Sequence, residues 1–183
     1  MFSRILLLSA ALALSQGAAL AFEVSSPSLA ALGWSRKYIA DSIAGCDGDN
    51  VSVALVWKDP PPGTKSYMLT MYDPNAPKGG KGFLHWLAWD IPASATGLAE
   101  GAASTEGAGL PPGTVLGKDD VGRVGYLGPC PPPGSGVHHY ILTLTALKVA
   151  SLGAVAGATA DEIAADAAPD AIAAATATYP YRR

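Results

Sequence analysis

Three consecutive prolines stand between glycines in the segment Gly125-Tyr126-Leu127-Gly128-Pro129-Cys130-Pro131-Pro132-Pro133-Gly134. Proline fixes φ and removes a backbone donor, so this stretch is neither helix nor central strand but a rigid, extended loop. Further breakers at Asp59-Pro60-Pro61-Pro62-Gly63, Lys78-Gly79-Gly80-Lys81-Gly82 and Pro111-Pro112-Gly113 read as turns or loops. The runs between them are short, and four read as strands. Val51 to Trp57 alternates, with Val51, Val53, Leu55 and Trp57 on one face and Ser52 and Ala54 opposite. Tyr67 to Tyr72 is rich in β-formers. His85 to Ile91 carries two tryptophans, with His85, Leu87 and Trp89 on one face and Trp86 and Ala88 on the other. Tyr140 to Val149 places Ile141, Thr143, Thr145 and Leu147 at period two. Gly97 to Gly109 is small and polar, without periodicity, and is expected to be an exposed crossover.

The C-terminal third changes character. Thr159-Ala160-Asp161-Glu162 is a capping-box pattern that predicts a helix over 160–168, with Ile163 facing inward. Pro169 interrupts it, and a second helix is expected over 171–177 around Ile172. Strands in the middle and helices at one end predict a mainly β fold: an antiparallel β-sandwich with short peripheral helices, the last ones at the C-terminus. No repeat or linker divides the chain, so residues 22–183 are expected to form one domain.

Residues 1–21 are set apart from that fold. Arg4 precedes Ile5 to Leu14, an uncharged run with Leu at five of ten positions, and Ala19-Leu20-Ala21 is a cleavage signature before Phe22. Cleavage after Ala21 would leave 183 − 21 = 162 residues and place the protein in the periplasm or outside the cell. The competing reading is a buried N-terminal helix. No later segment has the length and apolarity of a membrane span. Of 12 basic residues one, Arg4, lies in the leader, and all 15 acidic ones follow it, so the remaining charge is 11 − 15 = −4. A scattered acidic surface argues against a nucleic-acid partner. Cys46 and Cys130 are the two cysteines. In an exported chain they could pair across a long loop or remain separate small apolar thiols.

Three polar groups stand at the ends of strand-like runs. Asp73 follows an apolar strand and is stiffened by Pro74 and Pro77. Alone, this pattern reads first as a turn in which the carboxylate accepts backbone N–H groups. His85 opens the next strand. In His138-His139-Tyr140, alternation puts His138 and Tyr140 on one face and His139 on the other, which favours His138 as the inward residue. The glycines of the Pro-rich loop could bring backbone N–H groups close to an anion.

Together, Asp73-Pro74-Asn75-Ala76-Pro77, His85-Trp86, the Gly125–Gly134 motif and His138-His139-Tyr140 resemble the phosphatidylethanolamine-binding protein family. The bacterial and archaeal Raf-kinase-inhibitor-like branch is the most similar. The resemblance runs from about Cys46 to the terminal Tyr181-Arg182-Arg183. It implies a β-sandwich with flanking helices and a pocket for phosphate-like anions or phospholipid headgroups. Matched motif by motif, the pocket would comprise Asp73, Asn75, Pro77, His85, Tyr126, His138 and Tyr140, with Tyr179 and Tyr181 as rim candidates. Two positions depart from the family pattern. Asn75 replaces a usual second Asp, which predicts tighter anion binding and weaker ammonium recognition. Val53 stands where Pro is common, which should alter strand entry and leave the pocket intact. Imidazoles near their ordinary pKa of about 6.5 would bind phosphate in their charged forms, so affinity should fall as pH rises.

The leading expectation is an exported binding protein without cofactor or metal, whose partners are a phosphoryl headgroup, a candidate protein target and a second copy of itself. One alternative is an inhibitor of a secreted protease or other enzyme, with Gly97–Gly109 as reactive loop. Another is a hydrolase holding a metal on Asp73, His85 and His138. Ser135 lies near His138, but no G-x-S-x-G elbow surrounds it.

Overall fold

The computed structural model describes residues 21–76, 80–104 and 109–183. The leader up to residue 20, Pro77 and residues 105–108 lie outside these. The described elements are β1 (Glu23–Ser25), α1 (Pro27–Leu32), β2 (Leu55–Lys58), β3 (Ser66–Asp73), β4 (Phe83–Pro92), β5 (Gly97–Leu98), β6 (Val115–Leu116), β7 (His138–Leu147), α2 (Ala160–Ala167) and β8 (Ala171–Tyr181). They form two sheets, β1-β2-β5 and β6-β4-β3-β7-β8, and every strand pairing is antiparallel. The mainly β, two-sheet architecture agrees with the sequence pattern.

One core lies between the sheets. Val24, Leu55 and Trp57 from the small sheet, with Val53 just ahead of β2, meet Leu69, Met71, Trp86, Tyr140, Leu142 and Leu144 of the large one. On the far face of the large sheet, Leu84, Leu87 and Trp89 pack under Ile163 of α2. β4 is therefore covered on both faces. Its burial runs almost without a break, as expected of a strand in the middle of a layered fold. The cap of α2 is the one its sequence predicts: Thr159 Oγ1 accepts from Glu162 N, and the Glu162 carboxylate accepts from Thr159 N at 2.8 Å. Helix α1 was not anticipated. Ser26 caps it by accepting from Leu29 N, and Pro27 occupies the first turn, a recognisable start signal.

Several expectations need correction. The alternation over 51–57 keeps Val53, Leu55 and Trp57 in the core, but the ladder starts only at Leu55. Upstream, Val51 N bonds Lys37 O, Ser52 N bonds Ser104 Oγ and Ala54 N bonds Ser28 Oγ, so groups outside the sheet satisfy this backbone. β7 begins at His138, two residues early, and ends at Leu147. The described part of the Gly97–Gly109 segment, residues 97–104 and 109, is no free crossover. Gly97 and Leu98 pair with β2, Leu98, Ala102 and Ala103 are buried, and Gly101 N bonds Ser52 O.

The predicted helix over 171–177 is a strand. β8 pairs with β7 from His138↔Tyr181 to Leu147↔Ala171. Alanine's helix preference is worth only tenths of a kcal/mol per residue over most others, and a long ladder against a buried strand overrides it. Ala175, Ala177, Tyr179 and Tyr181 point toward the core while Ala174, Thr176, Thr178 and Pro180 face out. Pro180 is tolerated because β8 is an edge strand.

Candidate functional site

β3 is the middle strand of the large sheet, and both of its neighbours run against it. Its last residue, Asp73, therefore lies beside the opening residues of β4 and β7. Alternation puts Tyr67, Leu69, Met71 and Asp73 on the inner face of β3, and His138 and Tyr140 on the inner face of β7. In β4 the alternation is broken. Met71 pairs with Trp86 but Tyr72 pairs with Leu84, so one extra residue is accommodated at His85. This bulge separates His85 from Leu87 and Trp89, which turn toward α2. His85 and Trp86 instead both serve the inner side, contrary to the expected parity, and the His85 ring meets Tyr140 edge-on at 5.1 Å.

These groups end in a cavity of about 440 Å³. Asp73, His85, His138 and Tyr140 line it. Its other walls are mostly apolar: Ile43, Ala44, Phe83, Val121, Leu127, Pro131 and Pro132, with Asp120 the second carboxylate.

Asp73 and His138 are each 2% exposed, and His138 Nδ1 lies 2.6 Å from Asp73 Oδ2. A buried carboxylate needs donors, and Asp73 has several. Asn75 N donates to Oδ1 at 2.9 Å, the His138 ring donates to Oδ2, and Tyr140 also hydrogen-bonds the carboxylate. Burial, then the charge of Asp73, pushes the Tyr140 hydroxyl far above the usual tyrosine range, so it remains a donor. Because a carboxylate only accepts, Nδ1 of His138 carries a proton and its Nε2 faces Ser135 Oγ at 2.9 Å. The same hydroxyl lies 2.7 Å from the Pro132 carbonyl oxygen.

His85 behaves differently. Burial drives its pKa down to about 4, against the raising effect of its bond to Leu127 O. It is neutral at pH 7, and its Nδ1 donates to that carbonyl at 3.0 Å. The expected pair of phosphate-binding imidazolium ions therefore reduces to one candidate, His138.

Asn75, Tyr126, Tyr179 and Tyr181 are not in the cavity lining, and Pro77 lies outside the described residues. Asn75 sits just outside, where its Oδ1 accepts from His139 N at 3.0 Å. Tyr126 is buried and donates to Tyr38 O at 2.7 Å. Tyr179 accepts from Ser26 N at 2.7 Å, and Tyr181 packs near Trp34. The glycine N–H groups expected to cradle an anion are engaged internally: Gly125 with Gly117 O, Gly128 with Asn50 Oδ1 and Gly134 with Arg183 O.

Asn50 was missed as a structural clamp. It is buried, donates to Tyr126 O at 3.0 Å and accepts from Gly128 N at 2.8 Å, fastening the Pro/Gly loop to the segment 36–50. A Cβ on Gly128 would run into the Tyr38–Ala40 backbone, so only glycine fits there. Cys46 and Cys130 are joined in a disulfide, which ties the Ile43–Ala44 wall to the Pro131–Pro132 wall. Among the described residues, no group of three or more His, Cys, Asp or Glu side chains is arranged to hold a metal ion.

Fold and site together define a two-sheet antiparallel binding domain with its pocket where three strand ends meet. The chain belongs to the phosphatidylethanolamine-binding protein family, whose family model matches residues 35–182. YbcL, a UPF0098 protein of Escherichia coli, is 46% identical over 104 residues, which is 57% of this chain and 56% of that protein. A UPF0098 protein of Aquifex aeolicus is 43% identical over 118 residues, 64% of this chain and 66% of that one. The chain thus spans between about half and two thirds of the length of these relatives. The crystal structure of E. coli YbcL matches with a TM-score of 0.81 at 33% identity, covering 88% of this chain and 98% of that one. That of CT736 from Chlamydia trachomatis matches at 0.72 and 26% identity, covering 89% and 98%.

Proposed function

We propose that this chain is an exported binding protein whose pocket takes a zwitterionic phosphoryl headgroup with an apolar extension. The observation that carries this reading is the buried Asp73–His138 pair at the cavity wall. Asp73 fixes the ring by Nδ1, so a phosphoryl oxygen can replace Ser135 at Nε2. The buried Asp73 carboxylate lines the cavity beside that ring, which opposes a bare dianion. The same carboxylate favours a ligand carrying its own cation. The apolar walls suit the rest of such a molecule.

A phosphoryl group bound at Nε2 needs His138 as imidazolium, donating to Asp73 from Nδ1 and to the ligand from Nε2. Its other neighbours are Ser135 and Tyr140, with the neutral His85 and Asp120 across the cavity. Because that bond requires a proton on Nε2, we expect affinity for phosphoethanolamine to fall as pH rises. Calorimetry from pH 5.5 to 8 on wild type and His138→Gln checks this. A flat profile in the wild type, or the same slope in the variant, would refute it.

Export rests on the leader pattern, and the Cys46–Cys130 disulfide fits an oxidising compartment. Intact-mass measurement of the protein from a periplasmic extract should give an N-terminus at Phe22. Retention of residues 1–21 would contradict export by cleavage.

A further inference from the structure

One observation is left over from the headgroup reading: a serine hydroxyl on the same imidazole. Ser135 is exposed at the tip of a turn between Gly134 (φ 77°) and Gly136 (φ 95°), both in the left-handed region. Its Oγ lies 2.9 Å from His138 Nε2, whose other nitrogen lies 2.6 Å from the buried Asp73 carboxylate. Nucleophile, base and orienting acid are thus within hydrogen-bond reach in sequence, which is the arrangement that activates a serine. Two of the groups touched by Ser135 Oγ, His138 and Pro132, line the cavity, so the hydroxyl stands at its edge.

We propose that Ser135, His138 and Asp73 form a nucleophilic relay that hydrolyses carboxylic esters with a short apolar acyl group. The acyl chain would lie against Phe83, Leu127 and Pro132. The proton count supports the relay. Ser135 carries one hydroxyl proton and has two acceptors in reach, Pro132 O and Nε2. With neutral His138 the Nδ1 proton is held by Asp73 and Nε2 bears a lone pair, so the hydroxyl can donate there. With the imidazolium, Nε2–H donates to Oγ and the hydroxyl proton goes to Pro132 O. The neutral form is the competent base.

In the first step Oγ bonds to the ester carbonyl carbon, the C=O π pair moves onto oxygen, and Nε2 takes the hydroxyl proton. When the carbonyl re-forms, the C–O bond to the alcohol breaks, and the departing alkoxide takes the proton from Nε2 and leaves as alcohol. Water then repeats the sequence on the acyl-serine, its proton passing through Nε2 to Oγ, and a carboxylic acid is released. The Gly136 N–H follows the nucleophile directly, and the space where a Cβ would stand is open within 4 Å, so a tetrahedral oxygen can approach it.

The test uses the folded, disulfide-bonded protein with p-nitrophenyl butyrate and a fluorophosphonate probe. Wild type should hydrolyse the ester above the buffer rate and take the probe on Ser135, located by peptide mass. Ser135→Ala, an exposed loop change checked by an unaltered melting curve, should lose the label and about a hundredfold or more in rate. His138→Gln should lose the label while keeping Ser135. An unlabelled wild type, a label on another residue, or equal rates for wild type and Ser135→Ala would overturn the relay. None of these outcomes depends on phosphoethanolamine affinity, so the headgroup reading stands or falls separately.

Discussion

Replacing Cys46 and Cys130 together by alanine is expected to lower the unfolding free energy by about 4–5 kcal/mol. The bridge joins positions 84 residues apart, so its loss frees a large closed loop in the unfolded chain. The folded state loses contacts as well. The Arg183 guanidinium lies 2.7 Å from Cys46 Sγ and 3.2 Å from Cys130 Sγ, and also bonds Ala44 O. The bridge is a wall of the pocket, with Cys130 among its lining residues and Ile43 and Ala44 held beside it. Headgroup affinity should therefore drop with stability. Guanidinium unfolding of the native protein and the double variant measures the first effect. A loss under about 1 kcal/mol would show that the segment 43–46 is held by its backbone bonds alone.

Acid should destabilise the protein through His85 before most carboxylates titrate. Its folded pKa of about 4 lies below the ordinary 6.5 because burial disfavours the charged ring. Between those values the unfolded chain binds up to one more proton than the folded one. Stability therefore rises with pH across that window, is complete above 6.5, and is lost progressively as pH falls toward 4. The shift corresponds to about 3 kcal/mol over the whole interval. His85→Asn keeps a donor for Leu127 O but cannot titrate. Its stability at pH 7 should be lower than wild type, yet its decline between pH 6.5 and 5 should be much shallower. Denaturant midpoints across that range decide the matter, and an equal decline in both proteins would remove His85 as the cause.

The parts of this molecule that can be read from sequence are those governed by local rules. Alternation after the Pro-rich loop picks out His138 over His139, and a strand end next to Pro74 marks Asp73. The capping box places the start of α2. The misreadings have tertiary causes. Ala171–Tyr181 contains alanines that suit a helix, and only the exposed edge of β7 makes it a strand. Its last four inward positions, Ala175, Ala177, Tyr179 and Tyr181, do carry a period-two signal, which outranks propensity. The bulge at His85 leaves no mark in sequence, because it is defined by pairing with β3.

The pocket walls were hidden for another reason. Ile43, Phe83, Val121 and Leu127 look like any core residues, and Asp120 like any surface acid, until segments 40–80 residues apart are folded together. The Pro/Gly motif was legible as rigid, but its purpose was not. Gly128 serves close packing against Tyr38–Ala40 and the Asn50 clamp, and the N–H groups of Gly125 and Gly134 are held by Gly117 O and Arg183 O, so none of the three is free for an anion. Tyr126 belongs to the same motif, and its hydroxyl braces the Tyr38 carbonyl.

The ring nitrogens of His138 report most directly on the central claim that a headgroup docks on an imidazole oriented by Asp73. In protein labelled with nitrogen-15 at histidine and saturated with phosphoethanolamine at pH 6.5, the His138 Nε2 resonance should stand at the position of a protonated imidazolium while His85 is neutral. Saturable binding with His138 Nε2 unprotonated in the complex, or no binding at millimolar ligand, would contradict it.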